Sequence, residues 1–154
     1  MKVFITGANG FVGSNAAEFL IARNITIIRV VRNPSISDEK FQKKSEILSY
    51  DKFYKTNLSA NDSIIHCAGL AHQDRKKKGA DSDYYMSNAL HAREVFNHSS
   101  NFNIGKFVLL SSASVYGMPR DNERISEDHE CKPVDAYGNS KILAENMILR
   151  QSRY

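Results

Sequence analysis

The chain has 154 residues, of which 25% are charged and 42% hydrophobic, as is ordinary for a single globular domain with a core. The net charge of +4 is modest, and part of it lies in Arg-Lys-Lys-Lys at residues 75–78, which we interpret as a solvated loop. No aromatic platform accompanies this charge and no apolar run is long enough to cross a membrane, so we expect neither a nucleic-acid nor a membrane partner.

The first informative stretch is Thr-Gly-Ala-Asn-Gly-Phe-Val-Gly at residues 6–13, between a predicted strand at 3–5 and a predicted helix at 11–23. The first N–H groups of a helix have no partner within the helix, and they carry the positive end of its dipole. A pyrophosphate can bind there if the backbone comes close. We assign Gly7 to a tight turn, Gly10 to this close approach and Gly13 to packing of the helix on the strand. The residues expected to line this cradle are Gly7, Asn9, Gly10, Phe11, Val12 and Gly13.

Strands and helices alternate along the rest of the chain. The predicted strands are 25–31, a weak one near 53–56, 63–68 and 106–111, and the predicted helices are 38–48, 83–100 and one that begins after Asp135. This alternation predicts an α/β fold with a doubly wound parallel, Rossmann-like sheet of about five strands, forming one NAD(P)-binding domain over residues 1–154. Functional groups are then expected at the carboxyl ends of the strands.

Two further stretches carry candidate chemistry. Tyr137 and Lys141 are four residues apart and share one face of the last helix. A free phenol is a poor base at neutral pH, but a nearby ammonium group favours the phenolate, so tyrosine can take a hydroxyl proton as hydride leaves the same carbon. Ser112 follows the fifth strand, where a hydroxyl can bind the reacting oxygen.

The three stretches, in this order, resemble the extended short-chain dehydrogenase/reductase family, and its nucleotide-sugar epimerases in particular. Ser112, Tyr137 and Lys141 match the family's catalytic set, and Glu145 also fits its pattern. The resemblance implies NAD or NADP as cofactor, which would take hydride from C4 of a nucleotide sugar, of the UDP-hexose type, and return it to the other face. Tyr137 would be the acid/base, Lys141 would hold the nicotinamide ribose, and Ser112 would orient the 4-hydroxyl.

The same resemblance implies further contacts with the cofactor. The residues that it adds are Arg32, Asn57, Leu58, Cys67, Ala68, Gly69 and Asn88, besides Tyr137 and Lys141. Arg32 follows the second strand, where related epimerases often have an acidic residue. An arginine there can pair with the 2′-phosphate of NADP or stack on adenine, so NAD and NADP stay open.

Family members carry a C-terminal region that binds the nucleotide sugar, and this chain resembles the N-terminal, cofactor-binding part alone. We therefore expect a part of a longer epimerase-type enzyme. A 4-ketoreductase ranks second and a dehydratase third, because Ser114 stands where dehydratases have an acid. A truncated NAD(P)-binding module without turnover is the other alternative. A homo-oligomer is also considered, since an unfinished sheet leaves apolar surface.

Two cysteines suit a reduced, cytoplasmic setting, and no secretory leader precedes the first strand. His66 and His72 flank a strand end without a matched third ligand, and the two cysteines lack metal-ligand spacing. We expect no metal.

Overall fold

The computed structural model describes residues 1–34, 45–71, 80–118 and 124–152. Five strands form one sheet: β1 (Val3–Thr6), β2 (Ile27–Val31), β3 (Glu46–Ser49), β4 (Ser63–His66) and β5 (Lys106–Leu109). Their order is β3-β2-β1-β4-β5, and every pair of neighbours is parallel. The doubly wound, Rossmann-like sheet predicted from the sequence is therefore confirmed. Its winding direction reverses between β1 and β4, and sheets of this kind bind ligands beside the carboxyl ends of the strands at that reversal.

The helices are α1 (Phe11–Ile21), α2 (Tyr50–Phe53), α3 (Ala80–Tyr84), α4 (His91–Ser100) and α5 (Ala136–Gln151). A π-helical segment, Tyr85–Leu90, lies between α3 and α4, and a 3₁₀ turn, Ala113–Tyr116, follows β5. The chain divides into two compact units. The first comprises Met1–Ala68 and Val95–Leu110 and contains the whole sheet, whereas the second comprises Gly69–Glu94 and Ser111–Tyr154 and contains α5.

The core of the first unit lies on both faces of the sheet. Successive side chains of a strand point to opposite faces, so Val3 and Ile5 join one cluster while Phe4 joins the other. The first cluster also contains Ala17 of α1, and the second contains Phe53 of α2. All five residues of β2 are buried, as expected for a parallel strand that is covered on both faces.

The third strand and the helix before it differ from the prediction. The chain is a strand at 46–49, inside the predicted helix 38–48, and it is helical at 50–53 and without a strand at 54–56, where a strand was predicted. Pairing with β2, in which Ile47 lies opposite Arg29, fixes Ile47 and Leu48 in a strand. Ser49 then caps α2, because its Oγ accepts a hydrogen bond from the Lys52 N–H at 3.3 Å. Residues 38–44 of the predicted helix and the basic run at 75–78 lie outside the described residues.

Helix α1 approaches the sheet most closely through small residues, while Leu20 and Ile21 pack partly buried against the first cluster. Its buried residues are Gly13 and Ala17. The larger side chains of Phe11 and Phe19 are 87% and 56% exposed. The Arg23 guanidinium covers the Phe19 ring at 3.4 Å from its centroid, whereas Phe11 stands at the open N-terminus of the helix.

His98 supplies a pH-dependent part of the stability of the first unit. Its ring lies 4.9 Å from that of Phe53 and 5.4 Å from that of Phe102, centroid to centroid. Burial in this cluster lowers the pKa of His98 below 6.5, although hydrogen bonds with the backbone of Thr56 and Phe53 partly oppose that shift. The folded protein thus favours the neutral ring. The resulting stabilisation is present above pH 6.5 and is lost as the pH falls through the lowered pKa.

We therefore expect acidification to lower the free energy of unfolding more in the parent than in His98→Gln, whose side chain does not titrate. The measurement is urea unfolding of both proteins at about pH 7.5 and at about pH 5, on either side of an ordinary histidine pKa. Equal changes in the two proteins would contradict the role of His98.

Candidate functional site

The glycine turn at the carboxyl end of β1 requires glycine at two positions for the protein's own packing. Gly7 has φ +65°, and a Cβ there would lie 2.6 Å from the backbone N of Ala68. A Cβ on Gly13 would lie 2.4 Å from the carbonyl oxygen of Gly7. Gly7 thus makes a tight turn against the chain after β4, and Gly13 lets α1 close onto that turn.

Gly10 differs from these two glycines. It is exposed, and the nearest atom to an added Cβ is the Gly7 carbonyl oxygen at 3.2 Å, a contact that a small shift relieves. The folded protein therefore makes little demand for glycine at this position. Glycine at position 10 does, however, allow a ligand to approach the backbone closely.

The N-terminus of α1 begins at this glycine. Gly10 is the N-cap residue, no side chain caps the helix, and its first turn contains no acidic residue. The exposed Phe11 and Val12 follow directly. The helix therefore presents its uncapped first turn and the positive end of its dipole, which is the chemistry that binds a phosphate group.

The other cofactor residues predicted in the first unit lie in three places. Arg32 is exposed directly after β2, and Cys67 and Ala68 follow β4 beside Gly7. Asn57 and Leu58 lie between α2 and β4, where Asn57 is exposed and Leu58 belongs to the core. Their assignment rests on the family resemblance and stays a prediction. The residues that follow β3 directly are Tyr50 and Asp51.

Asn88 organises part of the second unit. Its side chain is buried, its Oδ1 accepts from the Leu70 N–H at 2.7 Å, and its Nδ2 donates to the Leu70 carbonyl at 3.0 Å. The same Nδ2 donates to the Ser140 Oγ at 2.9 Å. A Cβ on Gly69 would lie 2.8 Å from the Asn88 Oδ1. Asn88, predicted as a cofactor residue, thus fastens the loop at 69–70 to α5 through protein contacts.

The three predicted catalytic residues all belong to the second unit. Asp135 caps α5, because its Oδ1 accepts from the Gly138 N–H at 2.8 Å, and this fixes the helix start next to Tyr137. Tyr137 is half-buried and Lys141 is 6% exposed, one turn further along. Ser112 precedes the 3₁₀ turn, and its Oγ accepts from the Ser114 N–H at 3.2 Å.

Two contacts hold the serine segment against α5. A Cβ on Gly138 would lie 2.6 Å from the Ser114 carbonyl oxygen, so only glycine allows this approach in the first turn of the helix. Further along α5, the Glu145 Oε1 accepts a hydrogen bond from the Ser111 hydroxyl. Lys141 lies between these two contacts, and Tyr137 adjoins the first. The structure therefore brings Ser112 alongside the part of α5 that carries the other two residues.

Two more tyrosines lie near this segment. The Tyr84 ring of α3 lies 5.8 Å from the Tyr137 ring, centroid to centroid. The pKa of Tyr116 is raised, first by burial and then by nearby groups that include Cys131 and Glu127. Tyr116 therefore keeps its proton at neutral pH, which makes it unsuitable as a base.

Within the described ranges, no cluster of three or more His, Cys, Asp or Glu residues could hold a metal ion. No helix in the part of the chain that the structure describes is long and apolar enough to span a membrane.

A parallel sheet with a glycine turn at its reversal, followed by an uncapped helix start, is typical of dinucleotide-dependent enzymes. The model of the NAD dependent epimerase/dehydratase family matches residues 3–153, and the chain belongs to this family. A UDP-glucose 4-epimerase of Cyamopsis tetragonoloba is 27% identical over 165 residues, which cover 94% of this chain and 45% of the relative. A 4-hydroxy-2-methyl-3-oxo-4-farnesyl-3,4-dihydroquinoline-1-oxide ketoreductase of Stigmatella aurantiaca is 25% identical over 97% of this chain and 46% of the relative.

Among solved structures, a variant of UDP-glucuronic acid 4-epimerase from Bacillus cereus, in complex with a fluorinated UDP-sugar and NAD, matches with a TM-score of 0.84. It is 19% identical, and the match covers 99% of this chain and 52% of that one. At this identity the likeness shows the shared fold. The chain spans about half the length of the relatives that it matches.

Proposed function

We propose that this chain is the NAD(P)-binding part of a nucleotide-sugar 4-epimerase of the UDP-hexose type. The observation that carries the proposal is the packing of the Ser112 segment along α5 between Gly138 and Glu145, which gathers Ser112, Tyr137 and Lys141. The epimerase relatives support the substrate class. Gly10 supports dinucleotide binding, because glycine at the exposed, uncapped start of α1 lets a pyrophosphate approach the backbone.

The proposed mechanism assigns a separate task to each residue. A bound dinucleotide would supply the acceptor, and later the donor, for the hydride of sugar C4. Tyr137 takes the proton of the 4-hydroxyl as that hydride leaves, and gives it back when the carbon is reduced from its other face. Ser112 binds and orients the 4-oxygen. Lys141, largely buried one turn after Tyr137, would hold the nicotinamide ribose.

A ketoreductase is the second candidate, because one curated relative is described as a ketoreductase. The same three residues would then deliver a proton while the reduced dinucleotide supplies hydride to a ketone. A dehydratase ranks lower, since residue 114 is a serine whose Oγ accepts from Ser112 at 3.2 Å, and a serine cannot replace a carboxyl acid.

Product analysis separates these reactions. The longer protein that contains this chain is incubated with UDP-glucose or UDP-N-acetylglucosamine, and the 4-epimers are resolved by chromatography. We expect interconversion without net consumption of the dinucleotide. Stoichiometric oxidation of NADH or NADPH with a keto substrate would favour the ketoreductase instead, and release of water with a 4-keto-6-deoxy sugar would identify a dehydratase. The homo-oligomer and the cytoplasmic location stay predictions.

Arg32→Ala is expected to lower the affinity for NADPH by roughly tenfold or more, and the affinity for NADH much less. The reason is that the exposed guanidinium after β2 can pair with a 2′-phosphate. Calorimetric titration of the chain with each dinucleotide measures the effect. Arg23→Ala, which removes an exposed arginine beyond the other end of α1, is the matched control and should change neither affinity. If Arg32→Ala lost affinity for NADH and NADPH equally, a role of Arg32 in binding the 2′-phosphate would be contradicted.

A further inference from the structure

A buried hydrogen bond ties two strand ends directly beneath the glycine turn. Thr6 and His66 are the last residues of β1 and β4, and they are 0% and 1% exposed. The Thr6 Oγ1 and the His66 Nδ1 are 2.8 Å apart and hydrogen-bonded. Cys67 follows His66, and its N–H donates to the Thr6 carbonyl at 3.1 Å. The hydrogen bonds of the Thr6 side chain therefore help to position the next residue, Gly7.

Tyr50 extends this connection to a third strand. It follows β3 directly as the first residue of α2, and its hydroxyl oxygen accepts hydrogen bonds from the Thr6 hydroxyl and from the backbone N–H of Gly7, which also donates to the Val30 carbonyl at 3.1 Å. Strand β2 lies between β3 and β1, so the tyrosine reaches across the carboxyl end of β2. Its ring packs against the second core cluster and lies 6.2 Å from the Tyr54 ring, centroid to centroid. The ring is thus anchored by packing, while the hydroxyl contacts the turn.

The protonation of Tyr50 suits this role. Burial raises the pKa of Tyr50 to about 12, although the bonds to Thr6 and Gly7 and the charge of Arg32 act in the opposite direction. The hydroxyl therefore keeps its proton throughout the neutral range. The bond with Thr6 lowers the pKa of Tyr50, so the Thr6 hydroxyl donates its one proton to the Tyr50 oxygen and can accept from the His66 Nδ1–H.

We propose that Tyr50 is a positioning residue for the dinucleotide, whose hydroxyl holds the Thr6–Gly7 corner and so preorganises the turn at residues 7–13 for the pyrophosphate. This inference rests on the proposed dinucleotide binding. Preorganisation raises affinity because the backbone loses less freedom when the ligand binds. Tyr50 contacts neither phosphate nor nicotinamide in this role, since it acts through the position of Gly7.

The test compares two single deletions of a hydroxyl. NADH is titrated into the parent chain, Tyr50→Phe and Tyr54→Phe, and binding is followed by NADH fluorescence. Tyr54 is the matched control, since it lies one turn further along and its ring centroid lies 5.6 Å from that of His98. We expect Tyr50→Phe to lower the affinity for NADH roughly tenfold, the scale of one buried hydrogen bond. Tyr54→Phe should change that affinity less than about twofold.

Three further readouts separate positioning from a general loss of stability. Affinities are measured where urea titration shows every variant to be fully folded. Tyr50→Phe should weaken NADH and NADPH by the same factor, because it acts at the pyrophosphate and not at the 2′-position near Arg32. The double variant with Thr6→Val, which lacks the hydroxyl that Tyr50 bonds, should lose less affinity than the product of the two single losses.

The outcomes also distinguish this inference from the function on which it rests. If the parent binds NADH and Tyr50→Phe binds it equally well, or if Tyr54→Phe loses as much, the positioning role is wrong and the proposed function stands. Independent losses in Tyr50→Phe and Thr6→Val, or a loss confined to NADPH, would overturn it as well. A parent chain that binds neither dinucleotide overturns both.

Discussion

Gly10→Val is expected to abolish NAD(H) and NADP(H) binding while the chain keeps its fold. An added Cβ at position 10 would lie 3.2 Å from the Gly7 carbonyl oxygen, so a shift of a few tenths of an ångström accommodates it, in contrast to Gly7 and Gly13. A pyrophosphate at the N-terminus of α1 needs the backbone itself, and a branched side chain at the N-cap blocks that approach. Several charge-assisted hydrogen bonds would be lost together, so we expect an affinity loss of roughly 100-fold or more.

Calorimetry with NADH measures this loss, and two other glycines serve as controls. Gly105 is an exposed glycine before β5, and an added Cβ there would lie 3.3 Å from backbone oxygens, close to the value at Gly10. Gly105→Val should therefore bind NADH like the parent. Gly13→Val should instead lower the free energy of unfolding, because its Cβ would lie 2.4 Å from the Gly7 carbonyl oxygen. Parent-like affinity in Gly10→Val would show that the cradle assignment is wrong.

Sequence patterns predicted the sheet well where the strands are continuous apolar runs. The strands β1, β2, β4 and β5 each lie within or next to a predicted strand. β1 and β2 are buried along their whole length and consist largely of β-branched residues, as is typical of parallel strands covered on both faces. β3 was missed, since a pair such as Ile47 and Leu48 between polar residues is equally consistent with a helix.

The candidate catalytic residues were predictable because local rules and the order of motifs point to them. A spacing of four on a helix places Tyr137 and Lys141 on one face whatever the tertiary structure. The contacts that assemble the second unit, such as Ser111 with Glu145 and Asn88 with Ser140, join residues 34 and 52 positions apart. Nothing in the local pattern specifies such partners, which depend on how the segments pack.

Tyr137→Phe is expected to lower epimerase turnover by a factor on the order of 10² or more, the scale of a lost acid/base group. The phenyl ring keeps its contact with Tyr84 and the start of α5 keeps its cap from Asp135, so the change removes the proton acceptor and little else. The measurement is interconversion of UDP-glucose and its 4-epimer by the longer protein that contains this chain, with NADH affinity determined in parallel. Affinity should stay nearly unchanged.

Tyr84→Phe is the matched control for that variant, because it removes a hydroxyl from the neighbouring ring, 5.8 Å away, and should alter turnover by no more than a few-fold. The 154-residue chain by itself should show little or no turnover, because it spans about half the length of its epimerase relatives and the rest would hold sugar C4 close to the nicotinamide. Robust epimerisation by the chain alone would contradict its assignment as the cofactor-binding part. An unchanged rate in Tyr137→Phe of the longer protein would instead remove Tyr137 from the chemistry, because a phenyl ring can neither take up nor return the proton of the 4-hydroxyl.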